Sequence, residues 1–237
     1  MKIEVLYPQI CCLYGDKGNT KFLQKCLPDA EFIFTQLNDK PLFLTESVDL
    51  VCIYSMSEQS QELVLTRLMP YKDEIKSALQ GDKTFFLLTG NAMEIFGNYI
   101  QREDGSKIEA LGVYDIYSKR HAPQRFNTLI QAKFNDMTLL SYTSRFADTY
   151  GITEDMAFAK VEIGTGSCPD SKLEGIYKGK VIATYMLGPI LVANPDFSKW
   201  LFKQIGADIP ALPFEAALYE AYEAKRKEFQ RPDLALD

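Results

Sequence analysis

The sequence predicts an α/β fold, in which short buried strands alternate with amphipathic helices. Residues 48–54 and 84–89 are mostly apolar and carry the β-branched and aromatic residues of strands buried within a parallel sheet. Helical spacing follows the first run at 57–79, and a short helical stretch follows the second at 92–96. This alternation of strand and helix is typical of a mostly parallel sheet flanked by helices.

The remaining elements of the first half follow in order along the chain. Residues 2–7 alternate in polarity and stop at Pro8, which predicts the first strand. Residues 19–26 predict a helix, and residues 31–35 predict a second strand. Pro70 lies inside the helical pattern of 57–79 and is expected to split or kink that helix, because proline removes a backbone donor.

The middle of the chain changes character and becomes rich in short strands. Such a block predicts an antiparallel annex or an antiparallel extension of the sheet. Helices return near the end, and in the last of them Phe214, Leu218, Ala221 and Tyr222 are predicted to line one side. The short strands are predicted at 113–118, 127–134, 139–143, 158–163, 175–177 and 180–185, and the helices at 195–205 and 213–229.

Length and composition limit the domain count and the class of function. The chain has 237 residues, of which 46% are hydrophobic and 24% charged, so we expect one domain over 1–237 with a helical C-terminal extension at about 213–230. The formal net charge of −6 argues against a nucleic-acid partner, whose binding surface would be basic.

The cysteines and the single histidine, His121, argue against a metal site, a disulfide framework or a cofactor. The five cysteines contain no Cys-x-x-Cys spacing, and one imidazole excludes mechanisms that need two. The N-terminal apolar stretch is too short and too charged for a signal peptide, and no apolar run is long enough to span a bilayer. We therefore expect a cytoplasmic protein without membrane insertion.

Chemistry is expected where the strands of the sheet end, because α/β proteins bind ligands at the carboxyl ends of their strands. The sharpest of these places is the turn after residues 84–89, where the chain passes through Gly90 into a helical stretch. Such a turn can present a nucleophile, although here it offers no thiol and is equally explained as a tight turn that needs glycine. Cys11 and Cys12 follow the first strand and are the thiols nearest to a strand end.

Three sequence segments, in this order, resemble the class I glutamine amidotransferases of the cobyric acid synthase (CobB/CobQ) type. They are 6–19 with its Leu-Tyr-Gly-Asp-Lys-Gly-Asn run, 90–97 at the place of the nucleophile elbow, and 184–195 with Gly-Pro and Asn-Pro. Within that family the chain resembles the amidotransferase subunits of lipid II isoglutaminyl synthases. The resemblance covers residues 1 to about 205 and implies a flavodoxin-like fold with an antiparallel extension.

The chain departs from the family at both catalytic positions. Gly90 stands where the family has its nucleophilic cysteine, and Leu187 stands where it has its histidine. The resemblance therefore implies that glutamine hydrolysis by the family mechanism is absent. It also implies a pocket for glutamine or a related small amide, in which Arg125 occupies the place of a glutamine-binding arginine. Further pocket residues expected beside it are Asn91, Glu94, Tyr14 and Asp16.

Three functions remain open from the sequence. The first is a non-catalytic binding or partner subunit, associated with a Mur-ligase-like or synthetase-like protein. The alternative is an active glutamine amidotransferase whose nucleophile has been relocated to Cys11 or Cys12. The third is different chemistry in the same cleft, with Asp16, Glu58 and Glu94 as carboxylates. For Glu94, the competing interpretation is a solvated carboxylate in the first turn of a helix.

Overall fold

The computed structural model describes residues 1–234, and within them two sheets carry the fold. The larger sheet has nine strands in the order β2-β1-β3-β4-β13-β12-β11-β8-β9, and the smaller has four in the order β10-β7-β5-β6. The strands are β1 Lys2–Leu6, β2 Glu31–Thr35, β3 Leu50–Ile53, β4 Phe85–Thr89, β5 Tyr99–Gln101, β6 Lys107–Glu109, β7 Tyr117–Arg120, β8 Phe126–Phe134, β9 Met137–Arg145, β10 Ala147–Tyr150, β11 Ala157–Ile163, β12 Leu173–Lys178 and β13 Val181–Thr184.

The larger sheet has a parallel half and an antiparallel half. Strands β2, β1, β3, β4 and β13 pair in parallel, and β12, β11, β8 and β9 continue the same sheet with antiparallel pairing. Strands β3, β4 and β13 are buried at every position, which explains their continuous apolar sequences. This arrangement confirms the predicted α/β fold and its antiparallel extension.

The smaller sheet was only partly predicted. Residues 113–116 are not a strand, because the backbone N–H groups of Val113 and Tyr114 both donate to the Phe96 carbonyl oxygen at 3.0 Å and hold a turn there. Strands β5, β6 and β10 are three or four residues long, too short for an alternating pattern to stand out from the surrounding loops.

Helices cover both faces of the larger sheet. The helices α1, α4, α5 and α6 pack on one hydrophobic core, and α2 and α3 pack on the other. Pro70 lies in a 3-10 turn, Met69–Tyr71, that separates α2 from α3, so the predicted split is confirmed. The helices are α1 Lys17–Cys26, α2 Glu58–Leu68, α3 Lys72–Gln80, α4 Ile190–Ala193, α5 Pro195–Gln204 and α6 Glu215–Glu228, with further 3-10 helices at Leu13–Gly15, Leu42–Leu44 and Gly90–Phe96.

The last helix, α6, packs less deeply than its sequence pattern predicted. Phe214 was expected on the buried side, but it precedes the helix with a left-handed φ of 59° and is 71% exposed. Leu218 packs against the core, and the Tyr222 hydroxyl donates to the Thr138 carbonyl oxygen at 2.8 Å. No residue of α6 is fully buried, so this helix lies at the edge of the core.

None of the helices within residues 1–234 is both long enough and apolar enough to cross a membrane.

Candidate functional site

Three chain segments converge at the carboxyl edge of the parallel half. Ser55 follows β3, Gly90 follows β4, and Leu187 follows β13. Strands β3, β4 and β13 are neighbours in the sheet, and Thr89 is in register with Thr184. The segments that leave these strands therefore meet beside Gly90, at the place where α/β proteins bind their ligands.

Gly90 is enclosed so tightly that no side chain fits there. Its φ is +62°, a left-handed conformation that favours glycine. A Cβ atom at this position would lie 2.5 Å from the Ser55 Cβ and 3.2 Å from the Leu187 Cδ2. The first of these distances is well inside van der Waals contact, which for two carbons begins at about 3.5 Å. The position thus lacks both a nucleophile and the space for one.

Asp16 fixes the position of Ser55. The Asp16 side chain is fully buried, and its Oδ2 accepts a hydrogen bond from the Ser55 backbone N–H at 3.0 Å and another from the Ser55 hydroxyl. Burial raises the pKa of the Asp16 carboxyl to about 6, and the two bonds from Ser55 oppose that rise. The carboxylate therefore faces Ser55 and holds it over Gly90, although it was expected to face a ligand.

Asn91 is also occupied by internal hydrogen bonds. Its Oδ1 accepts from the Met56 backbone N–H at 3.0 Å, and its Nδ2 donates to the Met56 carbonyl oxygen at 2.8 Å. The Asn91 carbonyl oxygen accepts from Gln61 Nε2 at 2.7 Å. These bonds tie the elbow to the loop after β3, so the Asn91 amide, predicted to contact a ligand, is committed to the backbone.

Glu94 lies beneath the elbow, and the interpretation that it is a solvated carboxylate is wrong. It is 2% exposed, and it accepts hydrogen bonds from Gln61 Nε2 at 2.9 Å and from the Tyr185 hydroxyl at 2.8 Å. Burial raises the pKa of the Glu94 carboxyl to about 7, opposed by these two bonds and by the charge of Arg120. The group does not line the cavity beside Gly90.

Tyr14 and Arg125, both predicted as pocket residues, contact each other, but only Tyr14 lines the cavity beside Gly90. The Arg125 Nη1 donates to the Tyr14 Oη at 3.3 Å, and its guanidinium lies 4.4 Å from the centre of the Phe146 ring. The cavity has a volume of only about 20 Å³, which suffices for one water molecule. It is lined by Tyr14, Ser55, Met56, Glu58, Gly90, Asn91, Ser144, Arg145, Phe146, Tyr185 and Leu187.

Arg145 is a lining residue that the sequence did not reveal. Its side chain is buried, and its Nε and Nη2 donate to Asp148 Oδ1 at 3.1 and 3.0 Å. The guanidinium lies 4.6 Å from the ring centre of Phe126 and 4.9 Å from that of Tyr185. Its Nη1 has no hydrogen-bond partner among residues 1–234. A lone arginine beside a strand end carries no distinguishing sequence signal, so only the fold places it here.

The two thiols considered as a relocated nucleophile, and the single histidine, do not line the cavity. Neither Cys11, Cys12 nor His121 lines it. Cys11 is fully buried with its sulfur 3.7 Å from that of Met56, and burial raises the pKa of this thiol to about 12. Cys12 is half-buried. The His121 Nδ1 lies 2.8 Å from the Gln124 carbonyl oxygen, and its Nε2 lies 3.5 Å from Asp148 Oδ2.

In the described part of the chain, no group of three or more histidine, cysteine, aspartate or glutamate side chains is arranged to hold a metal ion.

Comparisons with known proteins agree with this fold. No family model matches the chain. It is 23% identical over 205 residues to the lipid II isoglutaminyl synthase (glutamine-hydrolyzing) subunit GatD of Staphylococcus aureus, covering 86% of this chain and 83% of the relative.

Solved structures show the same architecture. A glutamine amidotransferase crystal structure superposes with a TM-score of 0.58 at 14% identity, covering 86% of this chain and 99% of the other. PurLQS from Thermotoga maritima gives 0.56 at 12% identity, covering 94% and 97%. A glutamine amidotransferase from Thermotoga maritima gives 0.52 at 8%, covering 96% and 94%. The chain is therefore glutamine amidotransferase-like in sequence and in fold.

Proposed function

We propose that this protein is a glutamine amidotransferase-like subunit that does not hydrolyse glutamine and serves as a non-catalytic component of a larger assembly. The observation that carries the proposal is the closed elbow: Gly90 has no room for a Cβ atom between Ser55 and Leu187. Loss of a nucleophile alone typically lowers an enzyme's rate by about 10⁶-fold. Here the space for the nucleophile and for its substrate is also missing.

The size of the remaining cavity supports the same proposal. A volume of about 20 Å³ holds a single water molecule, whereas pockets that bind small molecules measure roughly 300 Å³ or more. Tyr14 and Leu187 are among the side chains that line it, and Tyr14 also accepts a hydrogen bond from Arg125. A glutamine-sized ligand would have to displace lining side chains such as these. The cleft is thus better suited to a fixed scaffold than to a substrate pocket.

The proposal of a partner rests on the relatives. The Staphylococcus aureus relative is by name a subunit of lipid II isoglutaminyl synthase, so a subunit role with a Mur-ligase-like or synthetase-like protein is the counterpart here. The Gly188-Pro189 and Asn194-Pro195 sequences support assignment to the CobB/CobQ type within the amidotransferases. The five free cysteines suit a reducing compartment, and we place the protein in the cytoplasm.

The two enzymatic alternatives have less support. A relocated thiol would have to be Cys11, whose pKa of about 12 leaves almost no thiolate at neutral pH, or Cys12, which does not line the cavity. Carboxylate chemistry would need Asp16 or Glu94, and each accepts two internal hydrogen bonds. Glu58 lines the cavity without a second free carboxylate beside it.

The test is ammonia release from glutamine by the purified protein, alone and mixed with a Mur-ligase-like protein from the same organism. We expect no ammonia above the level of a heat-denatured control, and no glutamine-dependent rise in melting temperature. Ammonia production that disappears in either Cys11→Ser or Cys12→Ser would refute the proposal and identify that thiol as the relocated nucleophile. Production that survives both substitutions would refute the proposal and point to carboxylate chemistry.

A further inference from the structure

Glu94 is connected to strand β7 by a line of buried hydroxyl groups. The Tyr185 hydroxyl donates to Glu94 Oε1 at 2.8 Å, and its oxygen lies 2.7 Å from the Thr149 hydroxyl oxygen. The Thr149 hydroxyl oxygen lies in turn 2.7 Å from that of Ser118, which is in register with it across β10 and β7. Tyr185, Thr149 and Ser118 are each 1% exposed, so this line reaches the smaller sheet without contact with solvent.

A second line starts from the other oxygen of Glu94 and ends on the same strand. Gln61 Nε2 donates to Glu94 Oε2 at 2.9 Å, and Gln61 Oε1 accepts from Arg120 Nη2 at 2.8 Å. Arg120 and Ser118 are two residues apart on β7, so their side chains lie on one face of the smaller sheet. The two lines and the strand between them close a ring. We call it the Glu94 ring; its members are Glu94, Gln61, Arg120, Ser118, Thr149 and Tyr185.

Arg120 is the one cation of the Glu94 ring, and its charge is already committed. Its Nη1 pairs with Glu62 Oε1 at 2.6 Å, and the neutral amide of Gln61 separates its Nη2 from Glu94. Glu58 of the same helix, α2, adds a negative charge that disfavours ionisation of Glu94, whereas the Arg120 charge favours it. An ionised Glu94 is therefore a buried charge held by two neutral donors, which is a costly arrangement.

The charged groups on the far side of Tyr185 do not supply the missing cation. The Arg145 guanidinium lies 4.9 Å from the centre of the Tyr185 aromatic ring, but it is paired with Asp148. Glu174 accepts from the Tyr185 backbone N–H at 2.7 Å and places a further carboxyl there. Glu94 itself is the one charged residue of its 3-10 helix. These surroundings favour a neutral Glu94, and burial raises the pKa of this carboxyl to about 7.

We propose that the Glu94 ring is a pH-sensitive latch, which holds β7 against the elbow while Glu94 is protonated and releases it when Glu94 ionises. Opening the ring lets water reach the carboxylate, and hydration removes the penalty of burying its charge. Tyr185 also lines the cavity beside Gly90, and Gln61 Nε2 also donates to the Asn91 carbonyl oxygen. Release of the latch therefore loosens the elbow and the wall of the cleft together. This opening needs no glutamine, so it stands apart from the proposed function.

The experiment measures hydrogen–deuterium exchange of the whole protein by peptide mass spectrometry between about pH 5 and about pH 8, with each rate corrected for the intrinsic effect of pH on amide exchange. Residues 90–96 and 117–120 report on the latch, and residues 50–53 in the core of the larger sheet report on global unfolding. We expect the opening equilibrium of both latch segments to rise by up to about tenfold per pH unit until about pH 7, and to level off above it. Above about pH 7 both segments should exchange faster than residues 50–53, because they open without global unfolding.

In Glu94→Gln the latch should stay closed at every pH, since the amide donates to Tyr185 and accepts from Gln61 as a protonated carboxyl does. Thr149→Val cuts the hydroxyl line but leaves Glu94 able to ionise. In this variant the protection of both latch segments should fall at every pH, while its dependence on pH remains. Glu220→Gln, exposed on α6, is the matched control and should exchange like the wild type. Far-ultraviolet circular dichroism establishes that each variant is folded.

Three results would overturn the latch. The first is protection of both latch segments that does not change with pH. The second is exchange of these segments at the rate of residues 50–53 at every pH, which would confine the effect of Glu94 to global unfolding. The third is a pH dependence that persists in Glu94→Gln. None of these results involves ammonia release, so the latch and the proposed function fail independently.

Discussion

Asp16 accepts hydrogen bonds from both the backbone N–H and the hydroxyl of Ser55, 39 positions further along the chain. Asp16 directly precedes α1, and Ser55 lies two residues after the end of β3. The bond pair thus connects two loops at the carboxyl edge of the sheet. It holds Ser55 where a side chain at position 90 would have to stand.

Introducing the cysteine and histidine of class I glutamine amidotransferases at positions 90 and 187 should not produce glutaminase activity. In Gly90→Cys with Leu187→His, the new Cβ would lie 2.5 Å from the Ser55 Cβ, and cysteine would have to adopt a φ of +62°. Strain of this kind typically costs about 1–3 kcal/mol at one residue, and the overlap adds to it. We expect a lower melting temperature and no ammonia release from glutamine.

Gly90→Ala serves as the control for this experiment, because it introduces the same Cβ without a thiol and should destabilise the protein by a similar amount. Adding Ser55→Gly to the double variant should recover part of the stability. An active double variant with wild-type stability would show that the elbow is not closed.

Ser55→Ala should destabilise the protein more at alkaline than at acidic pH. The substitution removes a donor that lowers the pKa of buried Asp16, so ionisation of this carboxyl becomes more costly. The loss in unfolding free energy should reach about 1–3 kcal/mol above about pH 6 and shrink where Asp16 is protonated. Denaturant titrations at about pH 5 and about pH 8 measure it. Ser77→Ala, an exposed position on α3, should show no pH-dependent loss.

Glu94 should make the protein less stable as the pH rises from about 4.5 to about 7. Its pKa is raised from 4.5 in the unfolded chain to about 7, so the folded state binds more protons over that range. The contribution of Glu94 to the free energy of unfolding is present in full below about pH 4.5. It is lost as the pH rises through about 7, by up to roughly 3 kcal/mol.

In Glu94→Gln this contribution should vanish, leaving a shallower slope to which Asp16 and Glu174 contribute with the same sign, because burial also raises the pKa values of their carboxyls. Glu220→Gln, exposed on α6, should retain the wild-type slope. The measurement is the free energy of unfolding of each variant across this pH range. If its slope against pH is unchanged in Glu94→Gln, burial does not raise the pKa of Glu94 as argued.

Thiol alkylation of the native protein should separate the adjacent cysteines. At neutral pH, iodoacetamide should modify half-buried Cys12 well before Cys11, which is buried and has a pKa of about 12. Peptide mass spectrometry after a short exposure measures the order. Early modification of Cys11 would mean that the segment after β1 opens in solution, which would restore the relocated-nucleophile alternative.

The sequence predicted β3 and β4 well, because both are nearly continuous apolar runs that are buried at every position. Residues 180–185 were predicted as a strand of the antiparallel block, but β13 pairs in parallel with β4. The split at Pro70 followed from the same kind of local rule. Strands as short as Tyr99–Gln101 and Lys107–Glu109 could not be predicted, since three residues carry too little periodicity. Phe214 was misplaced because an apolar residue at helical spacing can also stand just before the helix begins, where it stays exposed.

For the candidate site, the resemblance selected positions but could not predict their geometry. Gly90 and Leu187 can be read from the sequence, and Tyr14 and Arg125 were expected as separate pocket residues. That Ser55 fills the space over Gly90, and that Glu94 turns inward to Tyr185, depends on contacts between residues far apart in the chain. Arg145 was not predicted, because no sequence pattern marks it and only the fold brings the end of β9 to the cavity.

The contact between Ser55 and position 90 also bears on how such a protein can change over generations. A mutation that places a cysteine at position 90 brings its Cβ against the Ser55 side chain, and a histidine at position 187 has no thiol to act on without that cysteine. Each of these single substitutions is therefore expected to be harmful or neutral, and only a combined change that includes Ser55 makes room at position 90. If the proposed non-catalytic role is correct, cysteine–histidine chemistry at this site is out of reach by single substitutions.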